Sequence, residues 1–255
     1  MRIVSLCPSI TESLVALGLS EELAGVTRYC VHPRETTRRL RKVGGTKNPD
    51  LAAIRSLAPD LVFLNAEENR PEDVEALAKE FSVDVSHPRR VADVPPLLRR
   101  WGRLTGREER AEEISAELEE GIARIERGRP APPAFRCLYL VWKNPWMIVG
   151  PRTYVADLLR LAGGTPSFEE IECSPSDYPV TDEETILESD PDVVLLPDEP
   201  YRFSERDAAF WRERLPRADV RLVAGDDWCW HGVRTLRGLE AARELAEAVR
   251  AGAGG

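Results

Sequence analysis

The chain alternates short apolar runs with helical patterns and turn clusters. After the first run, the segment PSITESLVALG at residues 8–18 has apolar side chains at helical spacing. Strands that alternate with helices are typical of α/β domains with parallel sheets. The pattern therefore predicts an α/β fold. The predicted strands are Arg2–Leu6, Leu61–Asn65, Val83–Ser86, Arg136–Trp142, Val193–Pro197 and Val220–Ala224.

One longer segment is helical throughout. Between Thr105 and Arg127, apolar residues recur every three or four positions, and Glu and Arg fill most of the others. At 1.5 Å per residue the helix would extend about 35 Å, and GRPAPP at residues 128–133 would end it. Similar alternating strand and helix patterns lie on both sides of this segment, so we interpret the helix as a spacer between two lobes rather than as a surface helix of one domain. The apolar positions are Ala111, Ile114, Leu118, Ile122 and Ile125.

Two segments on either side of this helix resemble each other. LAAIRSLAPDLVFLN at residues 51–65 aligns with EETILESDPDVVLLP at residues 183–197, and each predicts a short helix, a Pro-Asp turn and a buried strand. The predicted architecture is two Rossmann-like lobes with facing parallel sheets, joined by one long α-helix. The predicted boundaries are an N-terminal lobe at residues 1–104, the connecting helix at 105–130 and a C-terminal lobe at 131–255.

Composition and charge exclude several classes of partner. The chain of 255 residues has a formal net charge of −9, so a nucleic acid would meet net repulsion. No apolar run approaches the ~20 residues that span a bilayer, so membrane insertion is not expected. The number of cysteines is odd, at five, and no C-x-x-C pair occurs, which argues against a disulfide framework and a thiolate zinc site. No leader-like segment precedes the first strand. If Met1 is the true start, we expect a cytoplasmic monomer; the periplasm or cell surface is the alternative.

Several segments resemble one known family over nearly the whole chain. That family comprises the helical-backbone, or class III, substrate-binding proteins of ABC importers, which bind cobalamin, haem and ferric siderophores, here in a form without an export signal. The likeness is strongest to the cobalamin binders. It implies a ligand cleft between the lobes, a small-molecule metal-tetrapyrrole as ligand, and an ABC permease as partner. The segments are PSITESLVALG, GVTRYCVHP at 25–33, VGGTKNPDLAAIRSLAPDLVFLN at 43–65, NRPEDVEAL at 69–77, VGPRTYVADLLRLAGG at 149–164 and GDDWCWHG at 225–232.

The resemblance also implies which loops contact the ligand. These are the loops after Val26 and Leu64, the turn at Thr46–Asn48, the segment between Tyr139 and Gly150, and the loop at Trp228–Gly232. Paired tryptophans on two of these loops would offer indole surface to a flat macrocycle, worth about 1.5–3 kcal/mol each. Alternatively, they cap the cores of the lobes. The predicted ligand-binding residues are Tyr29, His32, Asn48, Glu67, Asn69, Trp142, Trp146, Trp228, Trp230 and His231.

Histidines and acidic residues add two further expectations. His231 is the candidate axial ligand to cobalt or iron, with a capping imidazole as the alternative. A bare metal ion needs several His and carboxylate ligands, and the spacing of His32, His231 and Glu67 does not match such a site. In the family, an acidic residue of each lobe meets arginines of the permease. Glu72 matches the first position, and Glu205 is a looser match to the second.

The predicted function is therefore binding rather than catalysis. No G-x-S-x-G elbow, P-loop, H-E-x-x-H or Rossmann glycine fingerprint occurs. We expect a cleft-type binding protein for a corrinoid or related metal-tetrapyrrole, acting in transport, scavenging or sensing, with no cofactor required and cobalamin or another corrinoid as the bound ligand. One alternative is ferric-siderophore or haem binding. A chelatase-like, tetrapyrrole-modifying enzyme is the alternative from another class.

Overall fold

The fold was examined in a computed structural model that describes residues 1–129, 134–168 and 176–252. Contacts divide the chain into two compact units. Unit 1 comprises Met1–Pro88, Ala92–Glu119 and His231–Arg234, and unit 2 comprises Arg89–Val91, Glu120–Trp230 and Thr235–Gly255. This division differs from the predicted boundaries in three respects. The long helix is divided between the units after Glu119, Arg89–Val91 belongs to unit 2, and His231–Arg234 belongs to unit 1.

Unit 1 contains a five-stranded parallel sheet in the order β3-β2-β1-β4-β5. A core that includes Val4, Ile54, Val62 and Leu64 lies against it. Because the strands are parallel, their carboxyl ends lie at one edge, where ligands bind in open α/β sheets. Its strands are β1 (Ile3–Ser5), β2 (Leu23–Val26), β3 (Arg41–Lys42), β4 (Leu61–Asn65) and β5 (Ser82–Ser86); its helices are α1 (Pro8–Ala16), α2 (Arg34–Thr37), α3 (Leu51–Leu57), α4 (Pro71–Ala78) and α5 (Val94–Thr105).

The long helix, α6 (Glu108–Gly128), begins later than predicted. Thr105 ends α5 instead, because Gly106 adopts a left-handed φ of +68° and terminates that helix. Gly102 allows the two helices to approach, since a Cβ on Gly102 would lie 2.5 Å from that of Ala111. The expected start at Thr105 is therefore corrected to Glu108.

Unit 2 contains a six-stranded mixed sheet. Its longest path is β11-β10-β6-β7-β9, and β8 pairs with β6. The expected α/β class with two sheets is confirmed, but this sheet is not wholly parallel, because β6 turns back into β7 through Asn144 at φ +62°. Its strands are β6 (Phe135–Trp142), β7 (Trp146–Ile148), β8 (Gly164–Pro166), β9 (Val180–Thr181), β10 (Val193–Pro197) and β11 (Asp219–Val223); its helices are α7 (Tyr154–Leu161), α8 (Glu183–Glu188), α9 (Glu205–Arg214), α10 (Gly225–Cys229) and α11 (Thr235–Gly252).

The similarity of residues 51–65 and 183–197 extends to individual hydrogen bonds. The Asp60 carboxylate accepts the backbone N–H of Arg2 at 2.7 Å, and the Asp192 carboxylate accepts that of Arg136 at the same distance. Asp50 caps α3 and Asp182 caps α8 through their side chains. A left-handed residue follows each helix at the equivalent position, Ala58 at φ 44° directly after α3 and Asp190 at φ 39° two positions after α8. The two segments are thus structurally equivalent.

Two further expectations concern thiols and membranes. Cys7, Cys30, Cys137 and Cys229 are free thiols, and Cys173 lies outside the described residues. No helix in the described part of the chain has both the length and the apolar character needed to cross a bilayer.

Candidate functional site

Five predicted ligand-binding residues lie on loops at the carboxyl edge of the unit 1 sheet. These loops, residues 27–33, 44–49 and 66–70, follow β2, β3 and β4, and we call them rim 1. The structure therefore brings together side chains that are up to 40 positions apart in sequence. The five residues are Tyr29, His32, Asn48, Glu67 and Asn69.

Asn69 holds the loops of rim 1 together. Its side chain is 2% exposed, its Oδ1 accepts the backbone N–H of Asn65 at 2.8 Å, and its Nδ2 donates to the carbonyls of Leu6 and Thr46 at 3.1 and 3.0 Å. These bonds join the ends of β1 and β4 to the turn after β3. Asn69 therefore positions rim 1, and direct contact with a ligand stays a prediction.

The accessible face of rim 1 combines an aromatic ring with polar groups. Tyr29 is 51% exposed, and the Arg28 guanidinium lies 5.2 Å from the centre of its ring. Arg28 Nη2 also donates to Asn48 Oδ1 at 3.3 Å. Lys47 donates to the carbonyl of Glu67, whose Oε1 lies 3.3 Å from Nε2 of His87. A planar, polar-edged ligand could stack on Tyr29 and hydrogen-bond to its neighbours.

His231 belongs to unit 1, although Trp230, its neighbour in sequence, belongs to unit 2. It is 6% exposed, and its Nδ1 and Nε2 each lie 3.4 Å from a serine hydroxyl, those of Ser9 and Ser86. Its ring lies 6.3 Å from that of Trp101. Burial, with a contribution from His87, lowers its pKa to about 4. Coordination of a metal would require one serine contact to break, so the axial role stays a prediction.

The residues after His231 pack against α1 and form hydrogen bonds with it. Gly232 has φ +87°, and the Val233 N–H donates to Ser13 Oγ at 3.0 Å. Arg234 forms two hydrogen bonds of 2.8 and 2.9 Å with the Glu12 carboxylate. This segment is therefore an integral part of unit 1, which the sequence did not indicate.

The four predicted tryptophans of unit 2 have different environments. Trp228 is 3% exposed and lies 6.4 Å from the Tyr139 ring, and Trp230 is 8% exposed. Trp146 packs in an aromatic cluster, with its ring centre 5.0 Å from that of Trp211. Trp142 is 39% exposed and meets Tyr201 edge-on at 5.3 Å. Core capping thus describes Trp146, Trp228 and Trp230, whereas Trp142 offers accessible indole surface.

The segments that follow β6, β10 and β11 form a second rim, which we call rim 2. They are residues 143–145, 198–201 and 224–230, and the last of them includes α10. Asp198 Oδ1 accepts the N–H of Gly225 at 2.7 Å, which joins two of these loops. Glu199 Oε1 lies 3.7 Å from the Cys229 thiol. Burial, and secondly the charge of Asp226, raises the pKa of Glu199 to about 7.

Glu199 and Tyr139 were not among the predicted ligand-binding residues. Glu199 stands in rim 2 where Glu67 stands in rim 1, because both are the second residue after the equivalent strands β4 and β10. Extending the internal alignment by two residues would have found it. Tyr139 carried no signal, since a tyrosine inside a predicted strand is usually a core residue.

The two predicted permease-docking residues are both accessible. Glu72 is in the first turn of α4, with its side chain 65% exposed and 3.5 Å from Arg70. Glu205 is in the first turn of α9, with its side chain 69% exposed and paired with Arg212. Their docking role stays a prediction.

Two proteins are similar to this chain in sequence. The chain is 25% identical over 231 residues to the vitamin B12-binding protein of Pectobacterium carotovorum subsp. carotovorum (strain PC1). The aligned region covers 89% of this chain and 81% of that protein. The chain is 27% identical over 198 residues to the cobalamin-binding protein of Halobacterium salinarum (strain ATCC 29341 / DSM 671 / R1). The aligned region covers 76% of this chain and 53% of that protein.

Solved structures share the fold. The periplasmic vitamin B12 binding protein BtuF of Vibrio cholerae matches with a TM-score of 0.86 at 19% identity, over 98% of this chain and 97% of that chain. The periplasmic heme-binding protein RhuT of Roseiflexus sp. RS-1 in apo form matches with a TM-score of 0.81 at 23% identity, over 97% of this chain and 98% of that one.

A model of the family described as periplasmic binding protein matches residues 3–212. The resemblance to class III substrate-binding proteins is confirmed. The expected cytoplasmic location is wrong, because the family is described as periplasmic binding protein and the similar BtuF and RhuT structures are of periplasmic proteins. It rested on the apparent lack of a leader, which carries no weight against these matches. Since the match spans most of the chain, the chain belongs to the periplasmic binding protein family.

Proposed function

We propose that this protein binds a corrinoid of the cobalamin type as the substrate-binding component of an ABC importer. The observation that carries the proposal is the similarity over 89% of the chain to a vitamin B12-binding protein. Rim 1 supports it chemically, because an exposed tyrosine ring lies beside a guanidinium group that contacts an amide, and both groups can bind the amide groups around a corrin.

The family supports action in the periplasm or at the cell surface, where Glu72 and Glu205 would dock on a permease. Substitution of either glutamate by alanine should reduce stimulation of the transporter's ATPase without changing ligand affinity. An unchanged stimulation in both variants would exclude this docking mode.

Haem is the second candidate ligand, because the fold is also that of RhuT. An enzymatic chelatase role has less support, since the Pectobacterium and Halobacterium relatives are both named as binding proteins.

Isothermal titration calorimetry with cyanocobalamin tests the proposal. We expect saturable binding that Tyr29→Ala weakens at least about tenfold, because the substitution removes the exposed stacking surface. The matched control is Leu222→Ala, which removes a side chain that is 43% exposed on β11, outside both rims. An absence of binding at about millimolar ligand, where the binding free energy is only about −4 kcal/mol, would refute the corrinoid proposal.

A further inference from the structure

Tyr139 presents an unusual buried group beneath rim 2. The residue is 3% exposed, and its hydroxyl has no hydrogen-bond partner among the residues that the structure describes. Leaving such a group unpaired costs stability, so buried hydroxyls are normally paired with protein, water or a ligand. Burial raises the pKa of Tyr139, and so, in decreasing order, do the nearby Cys229, Glu199, Tyr178 and Asp198. The hydroxyl is thus within electrostatic reach of the acidic loops of rim 2.

Glu199 is fixed among these groups by close backbone packing. A Cβ on Gly225 would lie 2.7 Å from both Cγ and the carbonyl oxygen of Glu199, so only glycine permits this approach. The Glu199 carboxyl accepts hydrogen bonds from the side chains of Trp230 and Cys229. Burial and the charge of Asp226 oppose its ionisation, as does that of Asp198. The carboxyl is therefore held rigidly in an environment that disfavours further negative charge.

Nearby cations of unit 2 are already neutralised by other carboxylates. Lys143, in the turn after β6, is paired with Asp207. Arg89 forms two hydrogen bonds with Asp177, at 3.1 and 2.9 Å. Arg237 donates to Asp227 at 2.9 Å. These three cations are therefore paired with carboxylates other than Asp198 and Glu199.

We propose that rim 2 selects ligands with uncharged carboxamide groups over ligands with carboxylates, with Glu199 and Tyr139 as the selecting residues. A carboxamide has both an N–H donor and a carbonyl acceptor, which match a carboxyl oxygen and a phenol O–H. A ligand carboxylate would instead lie beside the like charges of Asp198 and of ionised Glu199. This inference rests on the proposed function and sharpens it: corrinoids carry amides around the macrocycle, whereas haem carries two propionates.

The test compares two probes, cyanocobalamin and haemin, by calorimetry on the whole protein. Glu199→Gln replaces the carboxyl by an uncharged group of the same shape. We expect it to raise the affinity for haemin relative to cyanocobalamin by about tenfold, the effect of a single nearby charge in a partly screened site. The matched control is Glu213→Gln, which removes a carboxylate whose side chain is 82% exposed on α9 and should leave the ratio within about twofold.

A pH series gives an independent readout. Because the pKa of Glu199 is about 7, raising the pH from about 6 to 8 should weaken haemin binding in the wild type more than in Glu199→Gln. Comparison with the variant controls for haemin itself and for the other charged or polar groups around Glu199 and Tyr139, which are Asp198, Asp226, Cys229 and Tyr178. A ratio and a pH profile that are unchanged in Glu199→Gln would overturn the inference while leaving the proposed function intact.

Tyr139→Phe tests the buried hydroxyl. We expect the variant to be at least as stable as the wild type, because it removes an unpaired polar atom, and yet to bind cyanocobalamin several-fold more weakly. Equal affinity would remove Tyr139 from the selecting pair. If the wild type binds neither probe, the proposed function fails and this inference with it; if it binds cyanocobalamin but Glu199→Gln discriminates as before, only the inference fails.

Discussion

Gly232→Ala should destabilise the protein far more than the addition of one methyl group suggests. Gly232 has φ +87°, which costs an alanine about 1–2 kcal/mol. The new Cβ would lie 2.0 Å from Ser13 Oγ and 3.2 Å from Ser13 Cβ, so the serine side chain must move. In moving, Ser13 loses its bonds to the Val233 N–H at 3.0 Å and the Ser9 carbonyl at 2.8 Å, each worth about 1 kcal/mol. The free energy of unfolding should fall by about 3–4 kcal/mol in total.

Urea unfolding followed by circular dichroism measures this loss. Gly128→Ala is the matched control, because no atom lies within 4 Å of the added Cβ at the end of α6. It should be neutral or stabilising by up to about 1 kcal/mol.

A double-mutant cycle with Ser13→Ala separates the clash from the backbone strain. Both single variants lose the two hydrogen bonds of Ser13 Oγ, so the double variant should be about 2 kcal/mol more stable than the sum of the single effects predicts. A loss below about 0.5 kcal/mol for Gly232→Ala, or strict additivity with Ser13→Ala, would refute the packing of this segment on α1.

Two further predictions concern His231 and the internal repeat. The folded pKa of His231, about 4, is below its unfolded value of 6.5, so only the unfolded state gains a proton between these values, and stability should fall by about 3 kcal/mol as the pH decreases from 6.5 to 4. His231→Gln should lack this component in urea unfolding at several pH values, and identical pH dependence in both proteins would contradict the burial of a neutral imidazole. Asp60→Ala and Asp192→Ala should each lower the free energy of unfolding by about 0.5–1.5 kcal/mol, because each removes one equivalent carboxylate–amide bond. Melting curves of the two variants that differ by more than about 1 kcal/mol would argue against equivalence.

Local signals explain what the sequence analysis predicted correctly. The helix–turn–strand units at residues 51–65 and 183–197 were recognised because their apolar positions and Pro-Asp turns are adjacent in sequence. The capping carboxylates of Asp50 and Asp182 act within three residues of their partners. The apolar positions of α6 also predicted its buried face, at Ala111, Ile114 and Leu118.

Short strands were missed because their stability depends on distant partners. Strands of two to four residues, such as β2, β3, β7, β8 and β9, have too few positions to show alternation. Pairing with residues elsewhere in the chain decides whether they form. The same reason explains the late start of α6, since the left-handed Gly106 and the close approach of Gly102 to Ala111 depend on packing.

Candidate site residues divide in the same way. The sequence by itself determined the α/β class, the repeated unit, the family and the loops that carry Tyr29 and Asn48, because those features depend on neighbouring residues. Only the tertiary structure decided that Trp228 is buried while Trp142 is exposed, and that His231 lies between hydroxyls of Ser9 and Ser86, 222 and 145 positions away. Burial and pKa depend on which atoms surround a side chain, and those atoms come from parts of the chain that only folding brings together.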